Sequence, residues 1–281
     1  MNEASMPIGQ LLHAAPARLA QQAPARVAEQ SVLLCASNLT RQFGGLKAVN
    51  DVSISLWRDR IHAVIGPNGA GKSTLTNLLS GDLQPSSGRV VLAGQDVTGW
   101  APEKISHAGL GRSYQKTNIF LPFTVWDNVL LAALSRDPQQ PWNPVHWFRK
   151  AAQSKTAVEL AGRAIELAGL KDRRHSIAGA ASHGEQRQLE IAMTLATGPQ
   201  VLLLDEPLAG MGTAEAERML ELLLELKKGH AMFLVEHDID AIFALADHLT
   251  VLVDGQVLAS GMPADIRSNP EVQAAYLGEA Y

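Results

Sequence analysis

Residues 32–43 and 52–56 alternate apolar and polar side chains, the period-two pattern of half-buried antiparallel strands. Ile61-His62-Ala63-Val64-Ile65 is almost wholly apolar and predicts a buried strand, with a helix over 73–80 after it. Residues 88–92 read as another strand, following the turn Gln84-Pro85-Ser86-Ser87-Gly88. The pattern then changes. Residues 125–134 and 157–170 carry apolar side chains at helical spacing, separated by the break Asp137-Pro138-Gln139-Gln140-Pro141, and predict a helical subdomain over about 116–185. Residues 189–195 are an apolar helix. Residues 201–205 form an apolar run closed by an acid, a buried strand. Residues 213–228 are an amphipathic helix with Lys227 and Lys228 in its last turn and Gly229 as its stop. Strands at 232–235 and 250–253 complete a mainly parallel set, and about 262–281 is expected to be a helical tail. The order predicts an α/β fold with an antiparallel β subdomain and a helical insertion.

Composition narrows the function classes. With 46% hydrophobic and 19% charged residues the chain is globular. A formal net charge of −4 gives no reason to expect a nucleic-acid surface. Cys35 is the single cysteine, so neither a disulfide framework nor a cysteine metal site is expected. No apolar run approaches the roughly 18 residues a bilayer span needs; work at a membrane would mean docking onto a spanning partner. Residues 1–30, rich in Ala, Gln and Pro, lack the apolar core of a secretory signal. Leu11, Leu12 and Leu19 can share a helix face, but a disordered extension is the expectation. The chain has no internal repeat and one nucleotide motif, which excludes two complete ATPase domains in these 281 residues.

That motif is Gly66-Pro67-Asn68-Gly69-Ala70-Gly71-Lys72-Ser73-Thr74, which fits the P-loop pattern at every fixed position and sits between a predicted strand and helix. Glycines there let backbone N–H groups turn inward around phosphates, and the helix N-terminus adds partial positive charge. Lys72 is expected to neutralise the β- and γ-phosphates of ATP, standing in solvent when no ligand is bound, and the Ser73 hydroxyl to bind Mg²⁺. Leu204-Asp205-Glu206-Pro207 ends a buried strand in adjacent carboxylates. Asp205 would hold Mg²⁺ through its water shell, and Glu206 would orient and polarise the attacking water. The run Ser182-His183-Gly184-Glu185-Gln186 opens a helix, either as an anion site or as an ordinary N-cap. His237 either meets a γ-phosphate or caps the helix that follows. Gln115 either reaches metal and water or is a solvated loop amide. Phe43 either stacks on adenine or joins the core.

The order P-loop, Gln, Ser-x-Gly, Asp-Glu, His resembles the ATP-binding subunit of an ABC transporter, from about residue 32 onward. The resemblance implies a P-loop core of the ABC ATPase type, with Gln115 in the Q-loop and as a metal ligand. It implies that Ser182 to Gln186 form the signature, that Glu206 is the catalytic carboxylate and His237 the switch histidine, and that Phe43 stacks on adenine. Arg41-Gln42-Phe43-Gly44-Gly45-Leu46-Lys47-Ala48-Val49, Gly111-Arg112-Ser113-Tyr114-Gln115 and Val235-Glu236-His237-Asp238-Ile239-Asp240 are similar to the ATPases of branched-chain amino acid importers. So is the ending, Asn269-Pro270-Glu271-Val272 with Ala275-Tyr276-Leu277-Gly278-Glu279-Ala280. Two features depart from the pattern. The signature, usually Leu-Ser-Gly-Gly-Gln, reads Ala181-Ser182-His183-Gly184-Glu185, and the D-loop, usually ending in Asp, ends at Gly212.

The resemblance implies an energy-supplying subunit of a multi-chain importer for branched-chain amino acids or related small polar solutes. Its expected partners are a second ATPase chain, itself or more in keeping with the family a different one, two membrane-spanning permease subunits and, indirectly, a substrate-binding protein. It implies a peripheral place on the cytoplasmic face of the inner membrane. Two ATP molecules would be sandwiched head to tail, each between one chain's P-loop and the partner's Ser182-x-Gly184. A lipopolysaccharide-export ATPase and a soluble ABC-type ATPase are the alternatives. The second would carry long coiled-coil insertions or a second ATPase domain, and neither is present.

Overall fold

A computed structural model describes residues 32–114, 118–136 and 154–277, with side chains to 275. The expectations for residues 1–30, Gln115, the break at 137–141 and the last four residues of the tail lie outside the described residues.

Two sheets share the work. The antiparallel sheet has strand order β2-β1-β4-β5, built from β1 (Val32–Phe43), β2 (Leu46–Trp57), β4 (Ser87–Leu92) and β5 (Gln95–Asp96). The second sheet has order β10-β9-β3-β8-β7-β6. It comprises β3 (Arg60–Ile65), β6 (Leu110–Arg112), β7 (Val201–Asp205), β8 (Ala231–Val235), β9 (His248–Val253) and β10 (Gln256–Gly261). Its pairs are parallel except β9–β10.

Strand β8 and the first four residues of β7 are apolar because both of their faces are covered. Leu202, Leu204, Met232 and Leu234 point into one core with the helices α3 (Val125–Leu134), α4 (Lys155–Leu167), α5 (His183–Ala196), α6 (Thr213–Lys227) and α7 (Ile239–Leu245). Their neighbours Val201, Leu203, Ala231, Phe233 and Val235 point into the other, shared with the antiparallel sheet, α1 (Lys72–Ser80) and Ile105 of α2 (Pro102–His107). The tail begins with α8 (Pro263–Ser268) and α9 (Pro270–Val272).

The hydrophobic pattern located most elements, and its misses have physical causes. The strand expected over 52–56 runs Leu46–Trp57, its first half exposed or half-buried at the sheet edge apart from the buried Val49. The apolar stretch 189–195 is the later part of the helix that Ser182 was expected to open; the first two turns, from His183, are polar and held by a capping box. Ser182 accepts from the Glu185 N–H while Glu185 accepts from the Ser182 N–H. Strands β6 and β10 were not anticipated. The first is three residues long and the second lies half-exposed at an edge. The helix expected over 157–170 ends at Leu167, where Gly169 at φ 72° turns the chain.

His62 ties the two sheets together. Its Nδ1 faces the Ser55 carbonyl at 2.9 Å and its Nε2 faces Thr250 Oγ1 at 2.8 Å. The carbonyl can only accept, so Nδ1 carries the proton. Burial lowers its pKa from 6.5 to about 4, the Ser55 bond working against that shift and His248 adding to it. The unfolded chain therefore binds the extra proton first. His62's contribution is complete above pH 6.5 and is lost as pH falls toward 4, on the order of 3 kcal/mol. Denaturant midpoints measured from pH 7 to 4 should fall in the wild type, and His62→Leu should flatten that slope. An equal slope in both chains contradicts the assignment.

Candidate functional site

Three adjacent parallel strands deliver the site. In the order β3-β8-β7 their carboxyl ends carry, side by side, the P-loop, His237 and the Asp205-Glu206 pair. The carboxyl edge of an α/β sheet is where loops converge and helix N-termini point outward. Asn68 to Thr74, Glu206, Val235 and His237 line a cleft of about 290 Å³ there.

The loop is packed too tightly for side chains at two of its glycines. A Cβ on Gly66 would overlap the Leu252 carbonyl, and one on Gly71, at φ 99°, would overlap that of Ala48. Gly255, in the β9–β10 turn, braces the loop by donating to Ala70 O at 3.1 Å. Asn68, Gly69 and Ser73 are exposed along the cleft; Pro67 and Thr74 are half-buried, and Ala70 is buried. Lys72 corrects the expectation of a solvated lysine. It is 7% exposed, and its Nζ donates to Gly66 O at 2.6 Å and Pro67 O at 3.0 Å. Burial lowers its pKa, opposed by the charges of Glu206 and Asp205.

Asp205 is 3% exposed, and its Oδ1 has no hydrogen-bond partner among the described residues. Burial raises its pKa, with Arg112 pulling down and Glu206 pushing up. A buried carboxylate oxygen left open is costly unless a ligand uses it, so the donor set fits a hydrated divalent cation. Glu206 sits in the left-handed region at φ 49°, its N–H bonded to Val235 O, and this bend aims its side chain toward His237. Glu206 Oε1 lies 2.8 Å from His237 Nε2. His237 does not cap α7; Asp238 does, accepting from the Ala241 N–H at 3.0 Å. Phe43 is not core. It stands 46% exposed at the end of β1, with the Arg41 guanidinium 4.6 Å from its ring centre. Gln115 lies outside the described residues; before it, Arg187 of α5 donates to Tyr114 O at 3.2 Å.

The signature residues are elsewhere. None of Ser182 to Gln186 lines the Lys72 cleft. Ser182 is an N-cap and also donates from Oγ to Glu215 Oε1 at 2.9 Å. His183 Nε2 is 3.2 Å from Ala209 O, Gly184 packs against Glu215, Glu185 pairs with Arg173 at 2.7 Å, and Gln186 donates to Ala181 O.

Sequence reasoning gave no role to Glu236. Its carboxylate, 3% exposed, accepts from the Leu208 N–H at 2.6 Å and the His237 N–H at 3.1 Å. It thereby fixes the start of the D-loop to the histidine's backbone. The available signal was an acid closing the otherwise apolar strand Ala231–Val235. Ser113, whose Oγ accepts from the Asp205 N–H at 3.3 Å, had no sequence signal.

A P-loop, a carboxylate pair and a histidine on adjoining strand ends, beside an antiparallel sheet and a helical layer, define an ATP-binding cassette. The family model for ABC transporters matches residues 49–209, and that for the branched-chain amino acid ATP-binding cassette transporter matches residues 256–281. The chain belongs to the ABC transporter family of ATP-binding cassettes, ATPases coupled to transport.

Within it, the chain is 36% identical to the high-affinity branched-chain amino acid transport ATP-binding protein BraF of Pseudomonas aeruginosa and 37% identical to LivG of Escherichia coli K12. Each match covers 88% of this chain and 98% of the relative. The ADP conformation of an ATP-binding cassette of an ABC transporter superposes with TM-score 0.77 at 32% identity, over 88% of this chain and 99% of that one. These relatives do not favour the lipopolysaccharide-export or soluble alternatives. No helix among the described residues is long and apolar enough to cross a membrane.

Proposed function

We propose that this chain powers the import of branched-chain amino acids or related small polar solutes, acting as one of two ATPase subunits on the cytoplasmic face of the membrane. Branched-chain amino acid transport by the relatives BraF and LivG supports the substrate class. The carrying observation is that none of Ser182 to Gln186 lines the Lys72 cleft, while Ser182 caps the start of a separate helix. A two-fold pair brings them together around each ATP with a single kind of contact.

In this reading the exposed Phe43 ring stacks on adenine and the N–H groups of Gly69 to Thr74 receive the phosphates. Lys72 leaves the carbonyls of Gly66 and Pro67 for the β- and γ-phosphates. Ser73, Gln115 and, through water, the open oxygen of Asp205 would hold Mg²⁺, which would supply charge neutralisation at the phosphates. Glu206 takes a proton from the attacking water, and His237, 2.8 Å from Glu206, orients that carboxylate and meets the γ-phosphate. A groove of about 230 Å³ between Ser80, Pro102, Arg112, Tyr114, Glu190 and Thr197 is the proposed seat of a permease helix. Its lining residues Tyr114 and Asn118 flank Gln115 in sequence, and the exposed Phe120 and Leu121 follow.

Ser182→Ala or Gly184→Asp should spare ATP binding to the isolated chain and block closure and hydrolysis in the pair. With Lys72→Ala in one chain and Ser182→Ala in the other, the assembled transporter should regain one intact site and partial ATPase activity. Loss of ATP binding by an isolated Ser182 variant would place the signature in its own chain's cleft and defeat the arrangement. Solute-stimulated hydrolysis, measured with the permeases encoded by neighbouring genes, tests the substrate class.

A further inference from the structure

The Ser182 helix start already holds an anion, and the anion belongs to the same chain. Ser182 Oγ donates to Glu215 Oε1 at 2.9 Å, and the Gly184 backbone lies against the same carboxylate. The fit is close enough that a Cβ on Gly184 would lie 2.9 Å from both Cδ and Oε1 of Glu215. Glu215 is in the first turn of α6, its N–H bonded to Gly212 O at 3.0 Å, so its backbone is fixed relative to the D-loop. A second clasp, from His183 Nε2 to Ala209 O at 3.2 Å, holds the D-loop against the same helix start.

A hydroxyl and a glycine N–H at a helix start form the donor set that a terminal phosphate would use. A carboxylate at that position matches that ligand in charge and in acceptor geometry. The Ser182 hydroxyl has one proton to give, so it cannot serve Glu215 and a phosphate oxygen together. An ionised carboxylate left in place would also repel the incoming phosphate.

We propose that Glu215 is an intramolecular occupant of the signature site, taking the Ser182 hydroxyl and covering the Gly184 backbone until an ATP γ-phosphate on the partner displaces it. This rests on the reading that the signature acts on partner-held ATP. Closure then requires Glu215 to swing away. It is half-buried on the helix surface, so a side-chain rotation suffices. The competent population is reduced by the fraction of chains in which Glu215 is seated, which raises the ATP concentration needed for closure. The device holds the pair open when ATP is scarce without touching the P-loop.

The test is the MgATP dependence of hydrolysis by the assembled transporter carrying Glu215→Ala, Glu215→Gln or Ser182→Ala, alongside nucleotide affinity of each isolated chain. Glu215→Ala should lower the half-saturating MgATP concentration by about fivefold, the net scale of one ordinary solvent-exposed hydrogen bond. Glu215→Gln keeps the shape without the charge and should give an intermediate shift, which decides the matter alone if the alanine chain does not fold. Isolated-chain affinity should not change, because the Lys72 cleft is separate. An unchanged or raised half-saturating concentration in the Glu215 variants overturns the proposal. If Ser182→Ala hydrolyses ATP at the full rate, the signature reading itself fails. If Ser182→Ala is inactive while the Glu215 variants behave as wild type, only the seated glutamate is lost.

Discussion

Glu206→Gln should reduce ATP turnover in the assembled transporter by about 10²-fold or more, the scale expected when a general base is removed, while ATP still binds. The substitution keeps side-chain length and leaves an amide oxygen that can accept from His237, which lies 2.8 Å from Glu206 Oε1. It removes the negative charge that draws a proton from water. The backbone bend at φ 49° is retained because the Glu206 N–H bond to Val235 O does not involve the side chain. Lys72 and the P-loop N–H groups are untouched, so nucleotide affinity should stay near wild type. Binding without hydrolysis should trap the closed pair, visible by light scattering with MgATP. Full turnover by the variant would rule out the role.

Lys72→Ala should weaken ATP binding by about 10²-fold, since charged hydrogen bonds to phosphate are worth about 1.5–3 kcal/mol each. The structure adds a second consequence. Lys72 donates to the carbonyls of Gly66 and Pro67, so its loss leaves two acceptors of the loop itself without that donor. Water entering the vacated volume can replace it, because the cleft is open to solvent. The same change removes a cation whose burial is costly, which is why its pKa is lowered. These effects oppose each other, and the thermal midpoint should move by only a few degrees. Calorimetric titration with ATP, alongside a melting curve, separates the two. Near-normal affinity in a folded variant would remove Lys72 from the phosphate site.

How much was legible differs by type of signal. The P-loop could be read because its chemistry is local: nine consecutive residues make one turn, and Gly66 and Gly71 are there because neighbouring carbonyls leave no room for a Cβ. Strand β7 could be read because burial on both faces demands an unbroken apolar run, residues 201–204, before the closing Asp205. His237 was legible as a residue but not as a role, since capping and phosphate contact look alike in sequence. Asp238 taking the cap leaves His237 to Glu206. Phe43 was ambiguous for the same reason, because an aromatic at a strand end reads as core until its exposure is known.

The sequence alone determined the fold class, the phosphate loop, the adjacent carboxylates and the family, because each is written in contiguous residues or in a fixed order along the chain. Tertiary structure alone decided which of these meet. It set β3, β8 and β7 side by side, so that Lys72, His237 and Glu206 share one cleft although more than 160 residues separate the first from the second. It buried Lys72 on its own loop, fastened the D-loop through Glu236, and seated Glu215 on Ser182 across 33 positions. Hydrophobic periodicity reports which way a side chain faces, not what it faces. Pairings between distant polar groups depend on strand order and on helix placement over the sheet, which the pattern along one chain does not encode.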